Sequence, residues 1–319
     1  MAVSIRLTAV TSLAPFIEDG ALVAFNVGPD RVVYLVVALE PLDYRIEQPG
    51  GASLAKSLPD HPQRYRVVGL YDDRVVLDVH IDKERFNIHD VQPLPGEILL
   101  ACSRANFKGP DDFERNGRVY TLEGRFARDI LLGDGIESVQ TTSGGTIWTS
   151  YFDEGVFGNH GWPTPVGASG LVEWSQNGAK LYEFQPGEVD SICDCYALNV
   201  ESERDVWLCY YTDFPLVHLR DHKIRAVWEM PLKGSNAFAV ANGHALFRGG
   251  YDHRDTFELF ALPDGRPPKS LAKFKLINEH GIPLVVNRSV GRADTLYLLS
   301  NDVLYQLDVQ TALAKSVKA

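Results

Sequence analysis

The chain has 319 residues, 45% of them hydrophobic and 23% charged, enough apolar material to bury a large core without disulfides or a structural metal. Its formal net charge of −11 and the lack of any Lys/Arg-rich run exclude nucleic acid as the main partner, because phosphate binding rests on clustered cations. No signal-peptide pattern opens the chain and no run of about 18 apolar residues occurs, so the sequence predicts no membrane span and a cytoplasmic setting. The four cysteines, Cys102, Cys193, Cys195 and Cys209, form no C-x-x-C pair and read as small core residues.

Apolar residues alternate or come in short runs bounded by Gly, Asp, Asn and Pro, which predicts strands and no long amphipathic helix. In chain order, residues 4–10 are a strand without a neighbour, and 21–26 pair with 32–37, then 66–70 with 75–80. Residues 97–102 precede 118–122 and 127–131. Residues 136–142 turn at Ser143-Gly144-Gly145 into 146–152, and a long loop leads to 170–174, a Gln176-Asn177-Gly178 turn and 180–184. The same order returns in 205–211, 216–220 and 225–230, in 245–251, 257–262 and 271–276, and in 295–300 with 303–307.

The second strands carry the anchors Tyr34, Leu99, Trp148, Trp207, Phe247 and Tyr297, spaced 65, 49, 59, 40 and 50 residues apart, about 53 on average. Four strands per unit at such a period, six times over, predict an all-β fold: one six-bladed β-propeller domain over residues 1–319, with four antiparallel strands per blade. The last blade lacks a good outer strand, since 312–319 reads as a weak one. Residues 4–10 are therefore expected to supply it and close the ring, which removes an exposed sheet edge.

Strand order also sorts the connections onto two faces. First-to-second and third-to-fourth turns are short, whereas the second-to-third connections hold the long segments 40–63, 105–116 and 153–169. Long loops on a compact domain are usually functional, so the loop-rich face of blades one to three is the expected binding face. Carboxylates gather there: Asp153, Asp213, Asp252 and Asp302 follow second strands, and Asp134, Glu137, Glu188, Asp190 and Glu279 lie between blades. Such acids could hold a divalent cation such as Ca2+ or Mg2+. The segment from Tyr151 to Pro163 adds Glu154, Phe157, His160 and Trp162, and His280 follows Glu279. The ligand-binding candidates are thus Asp134, Glu137, Asp153, Glu154, Phe157, His160, Trp162, Asp190, Glu279 and His280. Trp148 and Trp207, mid-strand at equivalent places, are expected in the core. No G-x-S-x-G, H-E-x-x-H, P-loop or G-x-G-x-x-G motif occurs.

Blade three, with Ile136 to Val139, Gly145-Thr146-Ile147-Trp148 and Gly170-Leu171-Val172, resembles a blade of the NHL-repeat, streptogramin-lyase and gluconolactonase-like propellers. The resemblance implies the fold, and it spans scaffolds, lyases and metal-dependent lactonases. The lactonase-like members hold a divalent metal through Glu, Asn and Asp, a set with no residue-by-residue match in this sequence. The expected function is a non-catalytic binding or interaction protein taking a small molecule or a protein on the acidic, loop-rich face. The alternative is a divalent-metal-dependent hydrolase or lyase acting there.

Overall fold

The strands assemble into six main sheets, five of four strands and one of five, the blades of a six-bladed β-propeller, in a computed structural model that describes residues 3–47, 50–51, 53–187 and 189–316. Glu188 lies outside the described residues. Blade one comprises Ala21–Val27, Val33–Ala38, Gln63–Tyr71 and Arg74–Glu84, and blade two Asp90–Leu94, Glu97–Ala101, Gly117–Thr121 and Phe126–Ile130. Blade three comprises Ile136–Thr141, Ile147–Tyr151, Leu171–Trp174 and Lys180–Glu183. Blade four runs from Asp194–Val200 through Asp205–Tyr211 and Pro215–Arg220 to Lys223–Glu229. Phe238–Ala241, His244–Arg248, Thr256–Ala261 and Lys269–Ile277 make blade five, and Arg288–Arg292, Thr295–Ser300 and Val303–Asp308 most of blade six. The chain forms two compact units, Pro15–Asp194 with blades one to three, and Met1–Ala14 together with Cys195–Ala319.

Some second strands are buried along their whole length. Every residue of Val33–Ala38 and of Ile147–Tyr151 is buried, which is why they read as continuous apolar runs rather than alternating ones. Outer strands such as Lys223–Glu229 alternate instead, with one face in water. Trp148 and Trp207 are both buried, and Trp207 stacks on His218 at 3.8 Å within the core shared by blades four and five. The turn at Asn242 and Gly243, with φ of 49° and 70°, is the tight hairpin that an Asn-Gly pair favours. All four cysteines are free, and Cys102, Cys195 and Cys209 are buried.

The N-terminal segment departs from its expected course. Val3–Arg6 lies parallel to Lys269–Ile277 as a fifth strand of blade five, with Ile5 opposite Leu276. Ile5 and Leu7 are buried there in one cluster with Phe257, Phe274 and Leu276, and removing these side chains from water favours the pairing. The outer strand of blade six is supplied by the N-terminal segment, but by Thr11–Ser12 paired with Val303–Asp308, with the Val10 N–H donating to Leu304 O at 2.8 Å. The expected strand over 312–319 is instead the helix Val309–Ser316, and 317–319 lie outside the described residues. Asp308 explains the helix: its Oδ1 accepts the Thr311 N–H at 2.8 Å, a side-chain cap on good helix formers.

Candidate ligand-binding cleft

Three second-to-third connections stand side by side in the unit of blades one to three, each with structure of its own. Blade one's holds the hairpin Arg45–Glu47 and Ser53–Ala55, blade two's the hairpin Phe107–Gly109 and Asp112–Phe113, and blade three's the helix Asp153–Phe157. Polar bonds tie them together. Asn106 Nδ2 donates to Ser57 Oγ at 2.8 Å, Trp162 Nε1 to Ala105 O at 2.6 Å, and the Phe107 N–H to His160 O at 2.9 Å. Between them opens a cleft of about 740 Å3, lined among others by Lys56, Ser57, Arg104, Asn106, Lys108, Asp153, Glu154, Asn159 and His160.

Two facing glycines let the acidic members meet. A Cβ on Gly135 would stand 2.3 Å from Gly155 Cα, and one on Gly155 would stand 2.6 Å from Asp134 O. With neither side chain present, the Gly133-Asp134-Gly135 turn lies directly on the start of the helix Asp153–Phe157. Arg104 bridges the two acids: its Nε lies 3.1 Å from Asp134 Oδ1 and its Nη1 2.5 Å from Glu154 Oε2. Its side chain is only 5% exposed, and its guanidinium stands 5.3 Å from the Phe152 ring centroid. Asp134 Oδ1 also accepts the Ala105 N–H at 2.8 Å, while Oδ2 is buried without a hydrogen-bond partner. Burial pushes the Asp134 carboxyl up, opposed by Arg104. Hydrogen bonds from Asn159 and Arg104 hold Glu154 below the usual carboxylate range against partial burial, which acts the other way.

His160 sits at φ +51°, with Nδ1 2.8 Å from Asn106 Oδ1. The tautomer follows from the surroundings. Asn106 Nδ2 faces Ser57 Oγ and both oxygens of Glu114 at 3.0 and 3.1 Å, so its Oδ1 must be the atom toward His160. Neutral His160 therefore carries its proton on Nδ1 and leaves Nε2 as an acceptor.

The structure brings Asp134, Glu154 and His160 together, with one donor atom from each within 4.8 Å of the others. Asp153 lines the cleft beside them. Phe157 and Trp162 do not line it: Phe157 points to water, and Trp162 packs on Phe107 and Phe113 at 5.0 and 6.1 Å. Glu137 belongs to another group, with Asp90 and Asp194. Burial, then the charges of Asp194 and Asp90, push its carboxyl up to about 8, and burial raises Asp90 to about 6 despite bonds from Asn26 and Val139. Asp190 is exposed on the connection after blade three. Glu279 and His280 belong to the other unit, where the Glu279 carbonyl accepts from Arg6. Arg104, Asn106, Lys56 and Lys108 were not among the expected residues; the arginine and the two lysines offset the cleft's acids with cations. Arg104 and Asn106 open blade two's long loop at the place where Asp153 opens blade three's, a repeat position that could have revealed them.

The profile of the YxzG family matches residues 168–307, less than half the chain, and that stretch leaves out all the cleft-lining residues named here. No curated protein matches the sequence. Among solved structures, a chain of a mitotic checkpoint complex is similar at a TM-score of 0.53 and 6% identity, over 97% of this chain and 93% of that one. Hsv2 from Kluyveromyces lactis is similar at 0.50 and 8%, over 91% and 74%. A gluconolactonase, XC5397 from Xanthomonas campestris, reaches 0.45 and 12%, over 97% and 96%. At these identities the likeness concerns the fold. Among the described residues no helix is long and apolar enough to cross a membrane.

Proposed function

We propose that the chain is a binding protein whose cleft between the blade-one, blade-two and blade-three loops takes a small polar molecule. The observation that carries this reading is the lining itself, where fixed donors and acceptors of both charges face a space of about 740 Å3, a volume suited to a small ligand. Among the described residues the lining groups Arg45, Lys108, Glu114 and Asp153 have no ion-pair partner, so charges of both signs are left for a ligand bearing both, or many hydroxyls. The free, mostly buried cysteines support a reducing, cytoplasmic setting.

The test is a thermal-shift screen of the full chain against amino acids, dicarboxylates and sugars, repeated on Lys108→Ala and Asn159→Ala. Both residues are exposed, so their loss should leave the fold intact. A compound that raises Tm in the parent and loses most of that effect in a variant supports the reading. No stabilising compound, or stabilisation that both variants retain, overturns it.

A second reading, a metal-dependent hydrolase working in the same cleft, is favoured by one observation, the grouping of Asp134, Glu154 and His160. Those residues differ from the Glu, Asn and Asp set that the propeller resemblance implies, so no reaction step is carried over.

A further inference from the structure

We infer that Asp134, Glu154 and His160 form a site for one 3d divalent cation of the Zn2+ or Mn2+ class, at the edge of the cleft that Glu154 and His160 line. Three features beyond proximity support this. First, Asp134 spends one oxygen and keeps the other. Asp134 Oδ1 faces Arg104 and the Ala105 N–H, and Oδ2 is buried without a partner on a side chain only 3% exposed. A buried carboxylate oxygen left without a donor is unfavourable unless something cationic comes to it. Second, His160 is oriented as metal-bound histidines are. Its Nδ1 proton goes to Asn106 Oδ1, Asn106 is held by Glu114 and Ser57, and Nε2 is left to ligate. Third, the Ala105 N–H bonds Asp134 Oδ1 and the Arg104 guanidinium pairs with both carboxylates, the role outer-shell partners play in fixing ligand orientation.

The chemistry of the donors selects the ion. Two carboxylate oxygens alone would suit Ca2+ or Mg2+, whereas an imidazole nitrogen among three ligands shifts preference to Zn2+ or Mn2+. Donors around tetrahedral zinc stand roughly 3.4 Å apart, so the 4.8 Å grouping must contract on binding. Glu154 and His160 can supply that movement, because both lie on the blade-three loop and neither is fully buried. Metal binding needs neither an organic ligand nor a reaction, so its failure would leave the proposed function standing.

The test is calorimetric titration of EDTA-stripped, full-length protein with Zn2+ and separately with Mn2+, alongside melting curves. One equivalent of Zn2+ bound with a rise in Tm is expected. His160→Gln should weaken it by at least about tenfold, and Asn106→Ala by about 10–100-fold, as loss of an outer-shell partner does. Asp134→Asn should do the same. If that variant is unstable, the exposed-side His160→Gln decides alone. Cys193→Ser, which removes the one thiol that is not buried, should leave binding unchanged. Absence of a stoichiometric Zn2+ site in the parent overturns the assignment. So does full affinity in His160→Gln, or a loss confined to Cys193→Ser.

Discussion

At the scale of single residues, Glu137 gives the clearest pH signature. Its carboxyl is pushed up to about 8 from an ordinary 4.5, by burial first and then by Asp194 and Asp90. In the unfolded chain the same group ionises near its ordinary value. Its contribution to stability is therefore full below about pH 4.5 and is lost as pH rises through about 8. Glu137→Gln should accordingly raise Tm at neutral pH, and the gain should vanish at pH 4. A Tm difference that does not change with pH would show that Glu137 ionises normally. Glu137 is nonetheless exposed at the surface, with only its neighbourhood densely packed, so solvent screening should make the effect much smaller than for a sealed carboxyl. Trp148, 1% exposed, calls for the opposite experiment: Trp148→Ala should lower stability by about 3–5 kcal/mol in denaturant unfolding. Its place is legible in the sequence because anchors repeat at a fixed strand position. Arg104 is not legible, since its partners Asp134 and Glu154 lie 30 and 50 residues away and no local pattern links them.

At the scale of elements, the pairing of Gly135 with Gly155 sets how closely a turn and a helix approach. Gly155→Ala puts a methyl group 2.6 Å from Asp134 O and 2.7 Å from Gly135 O, and rigid backbone cannot yield cheaply. The helix Asp153–Phe157 must shift, lowering stability by about 1–3 kcal/mol, as overpacking does. Gly109→Ala, where nothing stands within 4 Å, is the matched control and should be nearly neutral. The two variants unfolding alike would refute the close-approach argument. Strands and their order are legible from alternation and from turn residues such as Asn242-Gly243, which act locally. The partner of the N-terminal strand is not, for the converse reason. A parallel pairing such as Val3–Arg6 with Lys269–Ile277 needs no turn between its strands, so the sequence carries no mark of it. Deleting residues 1–13 removes Ile5 and Leu13, both fully buried, and at about 1.5–3 kcal/mol per side chain should cost several kcal/mol. An unchanged denaturation midpoint would show that this segment is dispensable.

At the scale of the whole molecule, the lengths of three loops are enough to locate the cleft, because insertions between the second and third strands of adjacent blades must share one end of those blades. The identity of the charges that meet there is hidden in contacts between loops, which length alone does not encode. One consequence of the strand pairing concerns biosynthesis. The unit Pro15–Asp194 is continuous in sequence, so its blades can form as soon as they leave the ribosome. The other unit draws on both extremes of the chain: Val3–Arg6 waits for residues 269–277, and Thr11–Ser12 for residues 303 and 304. Residues 3–13 are thus translated long before their partners, an apolar segment left exposed to chaperones and proteases until residues 269–304 emerge. Stalled nascent chains ending near residue 220 should show residues 3–13 cut readily by a protease while blades one to three resist. The released full-length protein should protect both.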